Sequence, residues 1–205
     1  REWDPLTVLL VVSLALQVLA CWNAEFNVEQ GETGNFWEPL HYLLYGTGVQ
    51  NFEWSEEYAI RAPIYLAPLV VVGKAAQLVG LRKLEVLLAV RLAVGFTGCA
   101  ALHTLMRAAR GVVGARAAWM GMFVAIFSHC IAMYLGRLGV DTFTSILHCF
   151  AVAAWMSERN VVLVWLCAVT VLLRPSFLTV AASMGLFVVA QGWEEGREGH
   201  RGRWH

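Results

Sequence analysis

The chain is 205 residues long, carries no net charge and is dominated by apolar side chains. Apolar residues make up 59% of it and charged residues only 15%, a balance that exceeds what the core of an ordinary soluble domain can bury. No basic stripe with interleaved aromatic residues runs along it, which argues against nucleic-acid binding. The composition therefore predicts a membrane protein.

The first apolar run, residues 5–22, contains no charged residue and is long enough to cross a hydrocarbon core of about 30 Å. Cys21-Trp22-Asn23 is a poor cleavage site for a signal peptide, so we expect an uncleaved signal anchor. Further apolar runs follow and predict six or seven crossings in all. They cover residues 63–81, 84–106, 117–136, 138–156 and 161–190, the last interrupted by Arg174-Pro175.

The segment between the first two apolar runs, residues 23–62, is acidic and rich in aromatic residues. It holds seven of the fifteen acidic residues but a single basic one, Arg61. Because cytoplasmic loops are enriched in Lys and Arg, this loop is predicted on the non-cytoplasmic side, which is the ER lumen or the cell exterior. Its aromatic residues are unusual for a disordered linker, so we expect it to pack or to lie at the membrane interface.

The basic residues after this loop give conflicting predictions of sidedness. Strict alternation of crossings places Arg82-Lys83 in the cytoplasm but sends the three arginines of residues 107–116 to the opposite side, against the excess of positive charge expected in the cytoplasm. The run 63–81 is the weakest crossing because it contains Pro68 and Lys74. A re-entrant path for that run returns the arginines to the cytoplasm, and the sequence leaves both alternatives open.

Two short helices are predicted inside the acidic loop. Pro39 suits the first turn of a helix and Gly46 suits its end, which predicts a helix over residues 39–45. Ser55 is a suitable cap for a second helix that continues to Arg61. The tail, residues 194–205, is polar and rich in glycine, without apolar periodicity, and is not expected to fold by itself.

The cysteines and histidines follow no metal-binding pattern, so no metal ion is predicted. The five cysteines lie in or beside apolar runs without a C-x-x-C pair and read as small buried side chains. Three histidines fall one per run, without the H-x-x-x-H spacing of a metal site, and are expected in the core or in hydrogen bonds between helices. These residues are Cys21, Cys99, Cys130, Cys149 and Cys167, and His103, His129 and His148.

The acidic loop carries the most specific motif. It reads Asn35-Phe-Trp-Glu-Pro-Leu-His-Tyr-Leu-Leu-Tyr-Gly46, then Phe52-Glu-Trp-Ser55 and Tyr58-Ala-Ile-Arg61. Over about 30 contiguous positions it resembles the first lumenal loop of ER mannosyltransferases of glycosyltransferase family 22. That loop typically reads D-E-x-F-N-Y-W-E-P-x-H-Y and then T-W-E-(Y/W)-S. The resemblance is closest to members that form α-1,2 linkages on dolichol-linked oligosaccharides. Shorter matches at residues 137–145 and 173–176 resemble the related GPI-anchor mannosyltransferases.

The resemblance implies an all-α GT-C fold, a polytopic bundle of transmembrane helices with short interfacial helices in its first lumenal loop. It implies a multi-pass enzyme of the ER membrane that transfers mannose, with inversion and without a cofactor, from dolichyl-phosphate-mannose to a lipid-linked oligosaccharide. Both lipid-linked substrates and membrane lipids are its expected partners. Family members run to several hundred residues, so the chain is expected to be the N-terminal part of one such domain. Its parts are the first helix (5–22), the loop (23–62), further helices (63–190) and the tail (191–205).

Inverting sugar transfer needs a carboxylate that accepts the proton of the attacking hydroxyl. The family usually carries an Asp-Glu pair at the start of the loop, with the aspartate as base, where this chain has Gly31-Glu32. The resemblance therefore makes Glu32 the candidate catalytic residue, with Glu25 and Glu29 as alternatives in the same loop.

Seven further residues are candidates for binding substrate. Glu38 and His41 are three positions apart, so they share a helix face on which a carboxylate can orient an imidazole; the alternative is a capping glutamate beside an interfacial histidine. Trp37 and Trp54 either stack on sugar rings or anchor the loop at the headgroups. Three arginines beside apolar runs, where an unpaired charge is costly, are candidates for binding the dolichyl phosphate. They are Arg61, Arg137 and Arg174.

Other interpretations remain open from the sequence. Arg174 is alternatively a helix-end residue that reaches water, and Lys74 and Arg91, inside apolar runs, can pair with Glu85 or Asp141. For the whole chain, Gly31 and the short length suit a catalytically inactive or truncated membrane scaffold. A transporter is a third hypothesis because intramembrane charges and a broken helix can line a path, but no inverted repeat is visible.

Overall fold

The computed structural model describes residues 4–23, 33–49, 51–54, 57, 63–128, 131 and 134–201. Within these ranges the regular structure is entirely helical, as the all-α prediction requires. The α-helices are α1 (Pro5–Asn23), α2 (Glu38–Tyr45), α3 (Ala67–Leu78), α4 (Lys83–Val113), α5 (Ala115–Phe127), α6 (Val140–Met156), α7 (Asn160–Leu173) and α8 (Leu178–Arg201). A π-helical turn, Thr33–Trp37, precedes α2, and 3₁₀ turns cover Phe52–Trp54, Pro63–Leu66 and Pro175–Phe177.

Two of the described helices are long and apolar enough to cross a membrane, α1 over Pro5–Trp22 and α4. The 31 residues of α4 give it a length of about 46 Å. The two helices pack antiparallel: Asp4 pairs with Arg110 (3.4 Å) near one end, and the buried side chain of Gln17 lies against Gly95 towards the other. Gly95 permits this close approach, because a Cβ atom there would lie 2.5 Å from Cγ of Gln17.

The helix α3 has 12 residues, about 18 Å, which is too short to cross a hydrocarbon core of about 30 Å. After it the chain turns at Gly80, whose φ of 87° favours glycine, and α4 begins at Lys83. The ammonium of Lys83 lies 5.0 Å from the ring centroid of Tyr45, in the acidic loop. Both ends of α3 therefore lie at the loop end of the bundle, which favours the re-entrant alternative over a crossing.

The three arginines after α4's midpoint lie at the other end of the molecule. Arg110 pairs with Asp4, just before the start of α1, and Arg107 and Arg116 lie within six residues of it in the chain. Strict alternation is therefore wrong: it separates these arginines from the start of α1, whereas α1 and α4 are direct antiparallel neighbours.

The break predicted at Arg174-Pro175 is present. The helix α7 ends at Leu173, Arg174 is extended (φ −148°, ψ 98°), and Pro175 opens a 3₁₀ turn before α8. Pro175 cannot continue α7 because its ring blocks the preceding residue from helical geometry. The helices α6 and α7 form an antiparallel hairpin in which Arg174 returns to Asp141, in the first turn of α6, and forms an ion pair.

Three predicted boundaries differ from the structure. The apolar run 117–136 gives the helix α5 only as far as Phe127, with Ser128 extended after it. The loop helix begins at Glu38 rather than Pro39, which occupies its second position. The tail, predicted not to fold by itself, continues α8 as far as Arg201, because extending an existing helix needs no new nucleus.

A single apolar cluster joins the acidic loop to the bundle. Its buried members include Phe36 and Leu40 from the loop, Leu69 from α3, Val90 from α4 and Ile146 from α6. Trp37, Trp54, Phe143 and Leu173 pack at its edge. The described part of the loop, residues 33–49 and 51–54, is therefore packed on the fold, as its aromatic content predicts, and it lies beside the start of α6 and the end of α7.

Candidate functional site

The loop helix α2 is formed by local signals in the sequence. Pro39 lies in its first turn, where a missing N–H group costs nothing, and Gly46 ends it in the left-handed conformation (φ 73°). The N–H group of Gly46 donates to the carbonyl of Tyr42 at 2.8 Å. The predicted roles of Pro39 in the first turn and of Gly46 at the end of this helix are confirmed. Gly46 turns the chain back towards α2.

The C-terminal end of α2 docks on α3. The carbonyl of Leu44 accepts hydrogen bonds from Nζ of Lys74 (2.8 Å) and Nε2 of Gln77 (3.4 Å). A cation at the negative end of a helix dipole is stabilising. Gly73 allows this approach, because a Cβ atom there would lie 2.7 Å from Cδ1 of Leu44. Lys74 therefore donates to the C-terminal end of the loop helix instead of pairing with Glu85 or Asp141.

Tyr65 is the residue through which the loop packs on the bundle. It is 4% exposed, and its ring meets Phe36 at 5.4 Å, Trp54 at 6.0 Å and Phe143 at 6.1 Å between centroids. Its hydroxyl donates to the carbonyl of Asn35 at 3.2 Å. These contacts connect the π-helical turn, the 3₁₀ turn at Trp54 and helix α6.

Glu38 and His41 hold the turn that follows α2. Oε2 of Glu38 accepts a hydrogen bond from the N–H group of Val49 at 3.2 Å. Nδ1 of His41 lies 2.7 Å from the carbonyl oxygen of Thr47. The two side chains are neighbours, as their spacing predicts, but each binds the backbone of the returning turn. The carboxylate and the imidazole are thus joined through this turn, and a direct role of Glu38 in orienting His41 stays a prediction.

The ring of His41 lies between two aromatic rings on one face of α2. Its centroid is 5.9 Å from that of Trp37 and 4.7 Å from that of Tyr45, which follow the four-residue repeat of a helix. Lys83 lies over the outer ring of this row, that of Tyr45. We call these four residues, Trp37, His41, Tyr45 and Lys83, the aromatic row.

The two tryptophans have different surroundings. Trp37 belongs to the aromatic row, half-buried beside His41. Trp54 packs on Tyr65, and its Nε1 atom is buried with no hydrogen-bond partner among the described residues. Trp54 is thus a packing residue of the loop, whereas Trp37, half-buried at the edge of the cluster, stays a predicted stacking residue for a sugar ring.

Arg137 and Arg174 lie beside the same apolar cluster as the loop, next to Leu138 and Leu173. The guanidinium carbon of Arg137 is 5.2 Å from the ring centroid of Tyr134. Arg174 pairs with Asp141 and donates from Nε to Oγ of Ser176 at 3.2 Å. The pair is partly open to solvent, with 42% of the Arg174 side chain and 63% of the Asp141 side chain exposed. Both arginines are therefore at the loop end, where a phosphate could reach them.

Several predicted features lie outside the described residues. They are Glu32 and its alternatives Glu25 and Glu29, Arg61, and the second loop helix from Ser55. Their roles stay predictions from the sequence.

Comparison with known proteins gives one family match that covers most of the chain. The model of the Alg9-like mannosyltransferase family matches residues 7–198. The chain belongs to the Alg9-like mannosyltransferase family.

Curated relatives in this family are all named as α-1,2-mannosyltransferases. The chain is 47% identical to alg9 of Schizosaccharomyces pombe over 78 residues, 37% of this chain and 14% of that protein. It is 29% identical to Alg9 of Drosophila melanogaster over 164 residues, 78% of this chain and 25% of that protein. It is 34% identical to ALG9 of Arabidopsis thaliana over 108 residues, 51% of this chain and 19% of that protein. The chain thus spans a quarter or less of the length of these relatives. No solved structure matches it.

Three residues of the site in this Alg9-like protein were not predicted from its sequence. Strict alternation of crossings, one of two open alternatives, places Lys83 on the side opposite the loop. A carboxylate is one possible partner for Lys74, and Tyr65 lies in an apolar run without a polar signal. The short length of α3 depends on where Gly80 turns the chain. Pro68 and Lys74 in that run are the available signal, and they favour the re-entrant alternative.

Proposed function

We propose that this chain is part of a multi-pass ER enzyme that transfers mannose from dolichyl-phosphate-mannose to a lipid-linked oligosaccharide, forming an α-1,2 linkage. The observation that carries the proposal is the family match over residues 7–198. The names of the relatives, α-1,2-mannosyltransferases, support the linkage. The donor, the acceptor and the GT-C arrangement of the helices come from the sequence resemblance.

The arrangement of charged residues supports a lipid-linked sugar as substrate. The acidic loop is packed against the start of α6 and the end of α7, so carboxylates and arginines meet at one end of the bundle. An arginine can bind a phosphate through two parallel hydrogen bonds. The half-open ion pair between Arg174 and Asp141 leaves donors of the guanidinium for such a contact.

The reaction needs a base for the attacking hydroxyl, and we assign this role to Glu32. An inverting transfer places the base on the side of the sugar opposite the leaving phosphate. Glu32 lies one residue before the π-helical turn Thr33–Trp37 that opens the packed part of the loop. Trp37, the first residue of the aromatic row, is the last residue of this turn, so only four residues separate it from Glu32 in the chain.

The test is a transfer assay in microsomes, with the full reading frame that contains these residues and a donor labelled in its mannose. We expect transfer from dolichyl-phosphate-mannose to the lipid-linked oligosaccharide and none from the nucleotide sugar. Glu32→Gln should lower kcat by a factor of about 100 or more, the usual contribution of a general base. Glu57→Gln is the control, because it removes an exposed carboxylate elsewhere in the same loop. Absence of transfer by the unaltered protein refutes the proposal.

An inactive membrane scaffold is the second candidate, favoured by Gly31 in the position where the family usually has aspartate. Gly31→Asp separates the two. If the unaltered protein transfers no mannose and Gly31→Asp does, the chain is an inactive relative. If Gly31→Asp leaves the rate unchanged while Glu32→Gln abolishes it, Glu32 is the base and the scaffold interpretation fails.

A further inference from the structure

We propose that His41 is held in one tautomer by the turn it binds, so that its Nε2 atom accepts a hydrogen bond from one hydroxyl group of a bound sugar. This inference rests on the proposed transfer of mannose and names one contact within that site. It assigns His41 a role in recognising a hydroxyl rather than a phosphate.

The tautomer follows from the partner of Nδ1. That atom lies 2.7 Å from the carbonyl oxygen of Thr47, and a carbonyl oxygen only accepts. Nδ1 therefore carries a hydrogen and donates it. In the neutral imidazole the other nitrogen, Nε2, then has no hydrogen and is an acceptor. Nε2 has no hydrogen-bond partner within the described part of the chain, and the residue is half-buried rather than enclosed.

The neighbours of His41 suit a sugar. Trp37 and Tyr45 flank its ring on the same face of α2. Sugar rings present apolar C–H faces and polar hydroxyl edges, so a ring stacked on Trp37 brings a hydroxyl edge towards the imidazole. The only described cation at this row, Lys83, lies over Tyr45 rather than over His41. Nε2 thus offers an acceptor in an aromatic surface, which a hydroxyl satisfies and a phosphate does not.

The turn that fixes the tautomer is itself fixed by Glu38 and Gly48. Glu38 accepts from the N–H group of Val49, two residues after the carbonyl that His41 binds. Gly48 has a φ of 153°, and a Cβ atom there would lie 3.2 Å from Oε2 of Glu38 and 3.5 Å from Nδ1 of His41. An alanine at position 48 would therefore press on Glu38, make ordinary contact with His41, and hold a backbone conformation that residues other than glycine rarely adopt. Glu38 and Gly48 are therefore positioning residues for His41.

The first test reads the tautomer without any assay of activity. Long-range proton–nitrogen spectra of the protein in detergent, with labelled histidine, distinguish a nitrogen with hydrogen from one without it. We expect His41 to show hydrogen on Nδ1 and none on Nε2, and we expect Gly48→Ala to produce a mixture of both tautomers. Hydrogen on Nε2, alone or together with Nδ1, at neutral pH in the unaltered protein overturns the proposal.

The second test measures transfer with donors and acceptors that each lack one hydroxyl group. In the unaltered enzyme, removal of the recognised hydroxyl should lower kcat/KM by about 2- to 10-fold, the value of one neutral hydrogen bond. His41→Asn keeps an N–H donor near the position of Nδ1 but has no counterpart of Nε2. With the complete sugars, the kcat/KM of His41→Asn should be lower by this same factor. Removing the recognised hydroxyl from the sugar should not lower it further.

Tyr42→Phe, on the exposed side of the same helix, is the control and should keep the full pattern. If His41→Asn loses as much kcat/KM with every analogue as the unaltered enzyme does, the contact does not exist. The proposal then fails, although transfer itself continues. If the unaltered enzyme transfers no mannose, the proposed function fails instead, and the spectra still decide the tautomer.

Discussion

Replacing Gly73 with alanine should push the acidic loop away from α3. The added Cβ atom would lie 2.7 Å and 2.9 Å from the two terminal methyl carbons of Leu44, both well inside contact distance. Leu44 is 5% exposed and belongs to the central cluster, so it cannot rotate away freely. Overpacking of this kind costs about 1–3 kcal/mol, and alanine's better helix propensity returns about 0.5–1 kcal/mol.

The net loss, from near zero to about 2.5 kcal/mol, should lower Tm by up to about 10 °C in a domain of this size, measured by thermal unfolding in detergent. The matched control is Gly185→Ala, because nothing lies within 4 Å of a Cβ atom there; its Tm should stay the same or rise. Adding Leu44→Ala to Gly73→Ala should cost less than the sum of the two single changes, since the methyl groups share one space. Equal Tm values for Gly73→Ala and Gly185→Ala would refute the docking of α2 on α3.

Three other changes test separate parts of the structure. Lys74→Met should cost about 1 kcal/mol by removing the charged donor at the carbonyl of Leu44, and should speed amide hydrogen exchange at Gly46. Arg174→Gln and Asp141→Asn should each change the free energy of unfolding by less than about 1 kcal/mol, because their ion pair is partly exposed; chemical denaturation measures this. Only Arg174→Gln should also raise KM for the donor. Gly95→Ala should destabilise the packing of α1 on α4, since its Cβ would lie 2.5 Å from Cγ of Gln17. Gly111→Ala in the same helix is the control, because its Cβ meets nothing within 4 Å. Thermal unfolding compares the Tm values of the two variants.

Local signals in the sequence predict the helices well. The uncharged run of α1, the break at Arg174-Pro175 and the ends of α2 each depend on residues that are adjacent in the chain. A proline or a positive-φ glycine acts on its own few residues, whatever the rest of the fold does. These features are therefore readable without any knowledge of packing.

The candidate site depends on contacts between distant segments, which composition and spacing do not report. The pairing of Arg174 with Asp141, and of Lys74 with the carbonyl of Leu44, joins residues about thirty positions apart. Spacing correctly predicts that Glu38 and His41 are neighbours. It does not reveal that the backbone of residues 47–49 returns to take both side chains as partners.

The most direct test is the sidedness of three positions in sealed microsomes, probed with a maleimide that does not cross membranes. Single cysteines replace Thr47 in the acidic loop, Leu81 between α3 and α4, and Arg116 at the arginine end, all of them exposed; the unaltered protein gives the background from its own cysteines. We expect Arg116→Cys to react at once, and Thr47→Cys and Leu81→Cys to react only after the vesicles are opened. Reaction of Leu81→Cys in sealed vesicles would mean that α3 crosses the membrane, and reaction of Thr47→Cys would place the acidic loop in the cytosol and contradict the account of a lumenal mannosyltransferase.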